Sequence, residues 1–168
     1  MIFKKLFLAV FATVLFIAIP SVAADESIVI EGKVIAITDG DTIKVLDKEK
    51  KTYKIRFAEI DAPEKDQPYG QKSKQALSDI IFNKNVKVIQ SDVDRYGRVV
   101  GYVYFNGQNI NLEMVKLGMA WVYTYYSKDE KFREAENKAR TKKIGIWSLQ
   151  EDQKIPPWEW RRKSNLKE

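Results

Sequence analysis

The sequence predicts an α+β fold in which a small β-barrel of five strands carries three α-helices. The 168-residue chain is long enough for one domain of ordinary size. Its first half alternates short segments rich in Val and Ile with tight turns, and its second half has the apolar spacing of helices. A hydrophobic fraction of 45% and a charged fraction of 31% are typical of a globular chain and not of a disordered one.

The five predicted strands are separated by strong turn signals. Asp39-Gly40-Asp41 divides the first two, residues 48–51 form a polar second turn, and Asp61-Ala62-Pro63-Glu64 ends the third. Residues 94–97 join the last two strands as a hairpin loop, and Asn106-Gly107 follows them as a two-residue turn. The predicted strands are Ile28–Ile37, Thr42–Leu46, Tyr53–Ile60, Val86–Asp92 and Arg98–Phe105.

One predicted helix lies between the third and fourth strands, over Gln71–Phe82, with its apolar residues on one face. A short second helix contains Leu112 and Val115. Ser127-Lys128-Asp129-Glu130 has the form of a capping box and predicts the start of a third helix. Five strands with tight turns, one inserted helix and two C-terminal helices favour a Greek-key barrel of the OB type.

The first 24 residues have the pattern of a secretory signal. Two lysines precede the apolar run Leu6–Ile19, and small residues then allow cleavage after Ala23 or Ala24. The apolar run is short for a membrane span, and an uncleaved N-terminal anchor is the alternative. We therefore expect an exported protein with no membrane contact after signal cleavage, a globular domain at residues 25–150, and a basic and aromatic tail at residues 151–168.

Cysteine and histidine are both absent from the chain. This excludes disulfide frameworks, zinc sites with Cys or His ligands, and nucleophilic sites that use a histidine base. Any chemistry must use carboxylates, Arg, Lys, Tyr, hydroxyls or a hard cation.

The positive charge is concentrated at the C-terminal end. Residues 25–127 carry no net charge, whereas residues 128–168 contain 12 basic and 8 acidic residues. This asymmetry suggests a polyanionic partner, and a solvated helix face followed by a tail explains it equally well.

Three short motifs carry groups suited to phosphate chemistry, although each taken singly is an ordinary turn or strand end. Aspartates and a glutamate at strand ends offer the oxygen ligands that Ca²⁺ takes, and arginines can bind a phosphate through two hydrogen bonds. A carboxylate beside a metal-held phosphate can orient or deprotonate a water molecule. The motifs are Asp39-Gly40-Asp41-Thr42, Arg56 with Asp61-Ala62-Pro63-Glu64, and Asp94-Arg95-Tyr96-Gly97-Arg98.

The alternation of side chains along a strand sets a condition on the second motif. Strict alternation places Arg56 and Asp61 on opposite faces of the third strand. Both can line one site only if the strand ends or bulges near Glu59 to Asp61.

In this order and spacing, the three motifs resemble the staphylococcal nuclease (thermonuclease) family. The resemblance continues through Gly118-Met119-Ala120, Lys143-Ile144-Gly145-Ile146-Trp147 and Pro157-Trp158-Glu159-Trp160-Arg161, and so covers nearly the whole chain after residue 24. It implies an OB-fold barrel with a Ca²⁺-dependent phosphodiesterase site that cleaves DNA and RNA and leaves 3′-phosphates.

The resemblance also implies roles for individual residues. Asp41 and Asp61 correspond to the calcium carboxylates, and the backbone carbonyl of Ala62 joins them. Glu64 corresponds to the family's general base, or to a residue that orders water around the metal. The residues that correspond to the remaining roles are Arg56 and Arg98, which hold the scissile phosphate, and Tyr126, which matches the second of two rim tyrosines, with Thr124 at the place of the first.

The leading hypothesis is an exported, monomeric, calcium-dependent endonuclease with no obligate protein partner. A nuclease anchored by a retained N-terminal segment is one alternative. The other is a non-catalytic OB-fold module that binds nucleic acid by stacking bases on Tyr123, Tyr125 and Tyr126. Such a module has no need of the charged set formed by the three motifs.

Two prolines predict an extended tail from Ile155 to Arg162. We expect Trp158, Trp160 or both to pack on the barrel or the last helix and fix the C-terminus. The alternative is a basic and aromatic arm that adds contacts to nucleic acid.

Overall fold

The five long strands and the first three α-helices follow the predicted order along the chain. The computed structural model describes residues 28–125, 127 and 129–166. Its strands are β1 (Val29–Ile37), β2 (Thr42–Asp47), β3 (Thr52–Phe57), β4 (Ile60–Asp61), β5 (Asn85–Val93), β6 (Val99–Phe105), β7 (Gln108–Asn109) and β8 (Trp121–Val122). Its α-helices are α1 (Gly70–Ile81), α2 (Ile110–Lys116), α3 (Glu130–Thr141) and α4 (Pro157–Asn165), with single 3₁₀ turns at Gly145–Ser148 and Glu151–Gln153.

The five long strands close into a barrel. Antiparallel pairing gives the order β3-β2-β1-β5-β6, and β3 then pairs in parallel with β6. This parallel seam runs from Ile55 opposite Val99 to Phe57 opposite Gly101. The arrangement confirms the predicted α+β fold and its five-stranded OB-type barrel.

The core follows from the two-residue period of the strands. On β3, Ile55 and Phe57 face inward and are buried, whereas Arg56 between them faces outward. Helices α1, α2 and α3 close the core with one apolar face each. The largest helical contributions to this core are Leu77 and Ile81 from α1, Ile110 and Met114 from α2, and Phe132 from α3.

The start of α3 differs from the prediction. The capping box at Ser127 is wrong, because Asp129 is the N-cap and its carboxylate accepts a hydrogen bond from the backbone N–H of Lys131 at 2.9 Å. The Ser127 hydroxyl instead donates to Oε2 of Glu59 at 3.0 Å. Ser127 therefore ties the chain before α3 to the barrel.

The predicted extended tail is also wrong, and α4 raises the number of α-helices within the described residues from three to four. Pro157 stands at the first position of α4, where its fixed φ suits a helix and no N–H is needed. The expected aromatic contact is confirmed, since the Trp158 ring stacks on Tyr123 with centroids 5.3 Å apart and meets Trp121 edge to face at 6.0 Å.

None of the helices within the described residues is both long and apolar enough to cross a lipid bilayer. The predicted signal segment, residues 1–24, lies outside the described residues.

A buried asparagine fixes the point where β3 ends. Asn111, at the start of α2, is fully buried, and its Oδ1 accepts from the backbone N–H of Val103 at 3.0 Å. Its Nδ2 donates to the carbonyls of Ala58 and Gly101, each at 3.0 Å. The chain then turns at Glu59, whose φ is 65°, and enters β4. Asn111 thus holds the backbone that leads from β3 to β4.

We expect Asn111→Ala to lower the free energy of unfolding by about 2–4 kcal/mol, because it leaves buried backbone groups without partners. Asn109→Ala is the matched control, since Asn109 is a partly exposed N-cap of the same helix and its loss costs about 1 kcal/mol. Urea unfolding measures both values. Equal losses in the two variants would contradict the role assigned to Asn111.

Candidate active site

The turn before β2 directs a carboxylate towards β4. The Asp39 carboxylate accepts a hydrogen bond from the backbone N–H of Asp41 at 3.0 Å and so shapes the turn. A Cβ atom at Gly40 would lie 1.8 Å from Oγ of Ser73 and 2.8 Å from Cβ of Ala62. Only glycine fits there, and the close approach places Asp41 beside the start of the loop after β4.

Arg56 joins two buried carboxylates. Its Nη1 lies 2.9 Å from Oδ2 of Asp41, and its Nη2 lies 2.8 Å from Oδ1 of Asp61. The two aspartates are 4% and 1% exposed, respectively. The backbone N–H of Ala62 also donates to Oδ2 of Asp41 at 2.5 Å. The third strand was predicted to run to Ile60 but ends at Phe57, and this earlier strand end allows Arg56 and Asp61 to share one site.

A second arginine, which the sequence did not predict for the site, comes from α4. Nη1 of Arg161 donates to Oε1 of Glu64 at 2.6 Å and to Oδ1 of Asp61 at 3.2 Å, while Nη2 donates to Oδ2 of Asp61 at 2.8 Å. One feature of the sequence could have indicated this position of Arg161. Trp158 and Arg161 are three residues apart, so they share a face if the tail is helical. We call the three carboxylates and two arginines the acidic cluster: Asp41, Asp61, Glu64, Arg56 and Arg161.

Burial dominates the electrostatics of the acidic cluster. Burial raises the pKa of Asp41 well above its usual range, and the Arg56 guanidinium opposes that increase. For Arg161, partial burial acts against the charged form, but hydrogen bonds to Asp61 and Glu64 outweigh it and raise the pKa of the guanidinium. The acidic cluster contains three acidic and two basic groups, and little water reaches Asp41 and Asp61 to screen their charges.

Arg98 pairs with Asp94 and not with a member of the acidic cluster. Its Nε lies 2.6 Å from Oδ2 of Asp94, its partner within the β5–β6 hairpin. Val100 is paired with Arg56 across the parallel seam, so Arg98, two residues earlier, lies on the same outer face of the barrel as Arg56. Partial burial of the Asp94 carboxylate opposes its ionisation, but hydrogen bonds from Arg98 and Tyr96 prevail and lower the pKa of Asp94.

The predicted aromatic rim is only partly described. Tyr126 lies outside the described residues, so its assignment remains a prediction. Thr124 and Tyr125 are exposed, and Tyr123 stacks on Trp158 of α4.

The oxygens of the acidic cluster are suited to a hard cation. The carboxylates of Asp41 and Asp61 and the carbonyl of Ala62 are the kind of ligand that Ca²⁺ takes. The described part of the chain contains no group of three or more acidic, His or Cys side chains placed to hold a metal ion. A cation at this site would therefore depend on two carboxylates, a carbonyl and water.

We expect Arg56→Gln to lower the free energy of unfolding by about 3–5 kcal/mol in chelator, because it leaves two buried carboxylates without their shared partner. Arg98→Gln is the matched control, since that ion pair is 25% exposed at the arginine and its loss costs less than about 1 kcal/mol. Urea unfolding compares the two variants. A similar loss in both would show that Arg56 does not compensate the buried charges.

Comparison with known proteins shows which family the chain belongs to. The family model described as staphylococcal nuclease homologue matches residues 54–149. The chain is 48% identical over 134 residues to an uncharacterized endonuclease of Haemophilus influenzae, which covers 80% of this chain and 74% of that protein. It is 43% identical over 164 residues to the micrococcal nuclease of Shigella flexneri, covering 91% of this chain and 90% of the relative.

A plant relative shows the same likeness over a shorter stretch. The chain is 40% identical over 112 residues to a staphylococcal-like nuclease of Arabidopsis thaliana, covering 67% of this chain and 34% of that protein. The family model covers more than half of the chain, and the bacterial relatives match most of its length. By sequence and by fold, this chain belongs to the staphylococcal nuclease family.

Proposed function

We propose that this protein is a calcium-dependent endonuclease that hydrolyses DNA and RNA to 3′-phosphate products with little sequence specificity. The observation that supports this most strongly is the pair of buried carboxylates, Asp41 and Asp61, held by one guanidinium on the outer face of the barrel. Membership of a nuclease family and the names of the bacterial relatives support the same reaction class.

The carboxylates of Asp41 and Asp61 and the carbonyl of Ala62 would hold the calcium ion. Both carboxylates contact Arg56, the backbone N–H of Ala62 bonds Asp41, and hard oxygen ligands suit Ca²⁺, which supports this assignment. When bound, Ca²⁺ supplies a Lewis acid for a phosphoryl oxygen. Burial of the two aspartates keeps water from screening that charge.

Two arginines would bind the scissile phosphate and stabilise its transition state. Arg56 already directs its planar fork of donors at two carboxylate oxygens, and a phosphate offers the same bidentate geometry. Arg98 lies on the same outer face and is partly exposed, so it can exchange its Asp94 partner for a substrate phosphate. Tyr126 would contact the substrate at the rim of the site.

Glu64 would orient or deprotonate the attacking water. Its side chain is partly exposed, unlike those of Asp41 and Asp61, so water can reach the carboxylate. It shares the Arg161 guanidinium with Asp61, and it therefore lies beside the residues that would hold the metal.

We further propose that the protein acts as an exported monomer. The two lysines, the apolar run and the small residues of segment 1–24 support export. The small, closed barrel already has its own hydrophobic core, which supports action as a single chain.

Plasmid DNA and RNA should be cut in Ca²⁺, not in chelator, and only slowly in Mg²⁺, because Mg²⁺ needs a near-ideal octahedral site with shorter bonds. Asp41→Asn should abolish cleavage, whereas Asp79→Asn, on the outer face of α1, should not affect it. Gel analysis of the digests measures each rate. Full activity in chelator would exclude the metal, and binding without cleavage in Ca²⁺ would favour the non-catalytic module.

We expect Arg56→Lys and Arg98→Lys each to lower kcat by about 10²–10³-fold, because a point charge cannot replace a bidentate contact to the transition state. Arg95→Lys is the control, since Arg95 is exposed in the same hairpin as Arg98 and bonds Tyr96. Initial rates at saturating substrate measure kcat. If Arg98→Lys retained most of the activity, its phosphate role would be wrong.

A further inference from the structure

Arg161 donates two of the three guanidinium hydrogen bonds that Asp61 accepts. Oδ1 of Asp61 accepts from Arg56 at 2.8 Å and from Arg161 at 3.2 Å, and Oδ2 accepts from Arg161 at 2.8 Å. A carboxylate has about four acceptor positions, so three of them are taken by guanidinium N–H groups. The same Nη1 of Arg161 also bonds Glu64 at 2.6 Å. The guanidinium of Arg161 thus binds both of the carboxylates that it contacts from α4, Asp61 and Glu64.

Helix α4 is fixed in the position that delivers this guanidinium. Trp158 stacks on Tyr123, and Pro157 before it is buried. Arg161 lies one turn further along, on the same face as Trp158. The side chain of Arg161 is 43% exposed, so it can leave the acidic cluster towards solvent without moving the helix.

The loop that carries Glu64 is bound to the same tail. Oε1 of Gln67 accepts from the backbone N–H of Glu64 at 3.1 Å, and Nε2 of Gln67 donates to the carbonyl of Ile155 at 2.5 Å. Nε1 of Trp160 donates to Asp66 at 3.3 Å. Two contacts therefore connect the tail to the loop after Glu64, and Arg161 is a built part of this site.

A guanidinium and a divalent cation need the same oxygen lone pairs of Asp61. Where both remain near the acidic cluster, they also repel each other, and burial makes the repulsion stronger than on the surface. Every metal ion that binds must therefore displace the Arg161 contacts or overcome their charge.

We propose that Arg161 is a further active-site residue, which positions Asp61 and Glu64 in the metal-free protein and competes with Ca²⁺ for them. This inference rests on the proposed calcium site. Arg161 lowers the affinity of the site for Ca²⁺ and in return compensates the buried carboxylates when calcium is scarce. The tail helix thereby sets the calcium concentration at which the enzyme becomes active.

Isothermal titration of the full chain with Ca²⁺ alone tests the competition. We expect Arg161→Gln to tighten the Kd for Ca²⁺ by at least about ten-fold relative to Arg162→Gln. The control removes the same charge one residue along α4, from a side chain that is exposed. Arg161→Lys keeps the charge but loses the bidentate guanidinium, so its Kd for Ca²⁺ should lie between those of wild type and Arg161→Gln.

Thermal unfolding provides a second readout. Arg161→Gln should melt below wild type in chelator, and saturating Ca²⁺ should raise its Tm by more than it raises that of wild type or Arg162→Gln. A purely structural Arg161 would lower the Tm in chelator and leave the Kd ratio at one. If Arg161→Gln does not fold, the Kd of Arg161→Lys against wild type decides the question.

The outcomes separate the two proposals. Calcium binding with equal Kd in Arg161→Gln and Arg162→Gln would overturn the competition and leave the proposed function intact. Weaker calcium binding in Arg161→Gln would also overturn it, as would an unchanged Kd with a raised KM, which would make Arg161 a substrate contact. If neither wild type nor any variant bound Ca²⁺, the calcium site and the inference would both be wrong.

Discussion

The Arg56 guanidinium between Asp41 and Asp61 is the contact on which the arrangement of the site depends. Two carboxylates that are almost fully buried repel each other, and each loses several kcal/mol of hydration. Arg56 offsets both effects with one planar group, and it binds the turn before β2 to the end of β4. The positions of Ala62 and Glu64 follow, because they continue the same chain from Asp61.

This contact requires the backbone to leave the barrel at Phe57, and the rest of the fold holds it there. Glu59 adopts a left-handed φ of 65°, which costs about 1–2 kcal/mol for a residue with a Cβ atom. Its carboxylate accepts hydrogen bonds from the hydroxyls of Tyr102 and Ser127, and its carbonyl accepts from the N–H of Tyr123 at 2.8 Å. These contacts come from two distant parts of the chain, β6 and the segment 123–127, so the break in β3 depends on contacts well outside β3.

The sequence predicted what local patterns determine and missed what distant contacts determine. The five long strands were predictable from alternation and turn residues, but the third strand was predicted to run to Ile60 and ends at Phe57. The capping box at Ser127 was wrong because Glu59, 68 positions earlier, takes its hydroxyl. The prediction of an extended tail was wrong because Pro157 is compatible with a helix start, and the stacking of Trp158 on Tyr123, 35 positions earlier, is a distant contact that the local pattern does not show.

The C-terminal excess of positive charge, which suggested a polyanionic partner, includes basic residues that pair with acidic residues of this chain. Several basic residues of α3 pair with acids one turn away, as Arg140 does with Glu136 at 3.2 Å, which is typical of a solvated helix face. Arg161 is directed inwards and compensates the acidic cluster. The family model ends at residue 149, before α4 begins, so the charge that completes this cluster comes from a segment outside the matched domain. A change in the tail can therefore alter the electrostatics of the site while every residue of the matched domain stays the same.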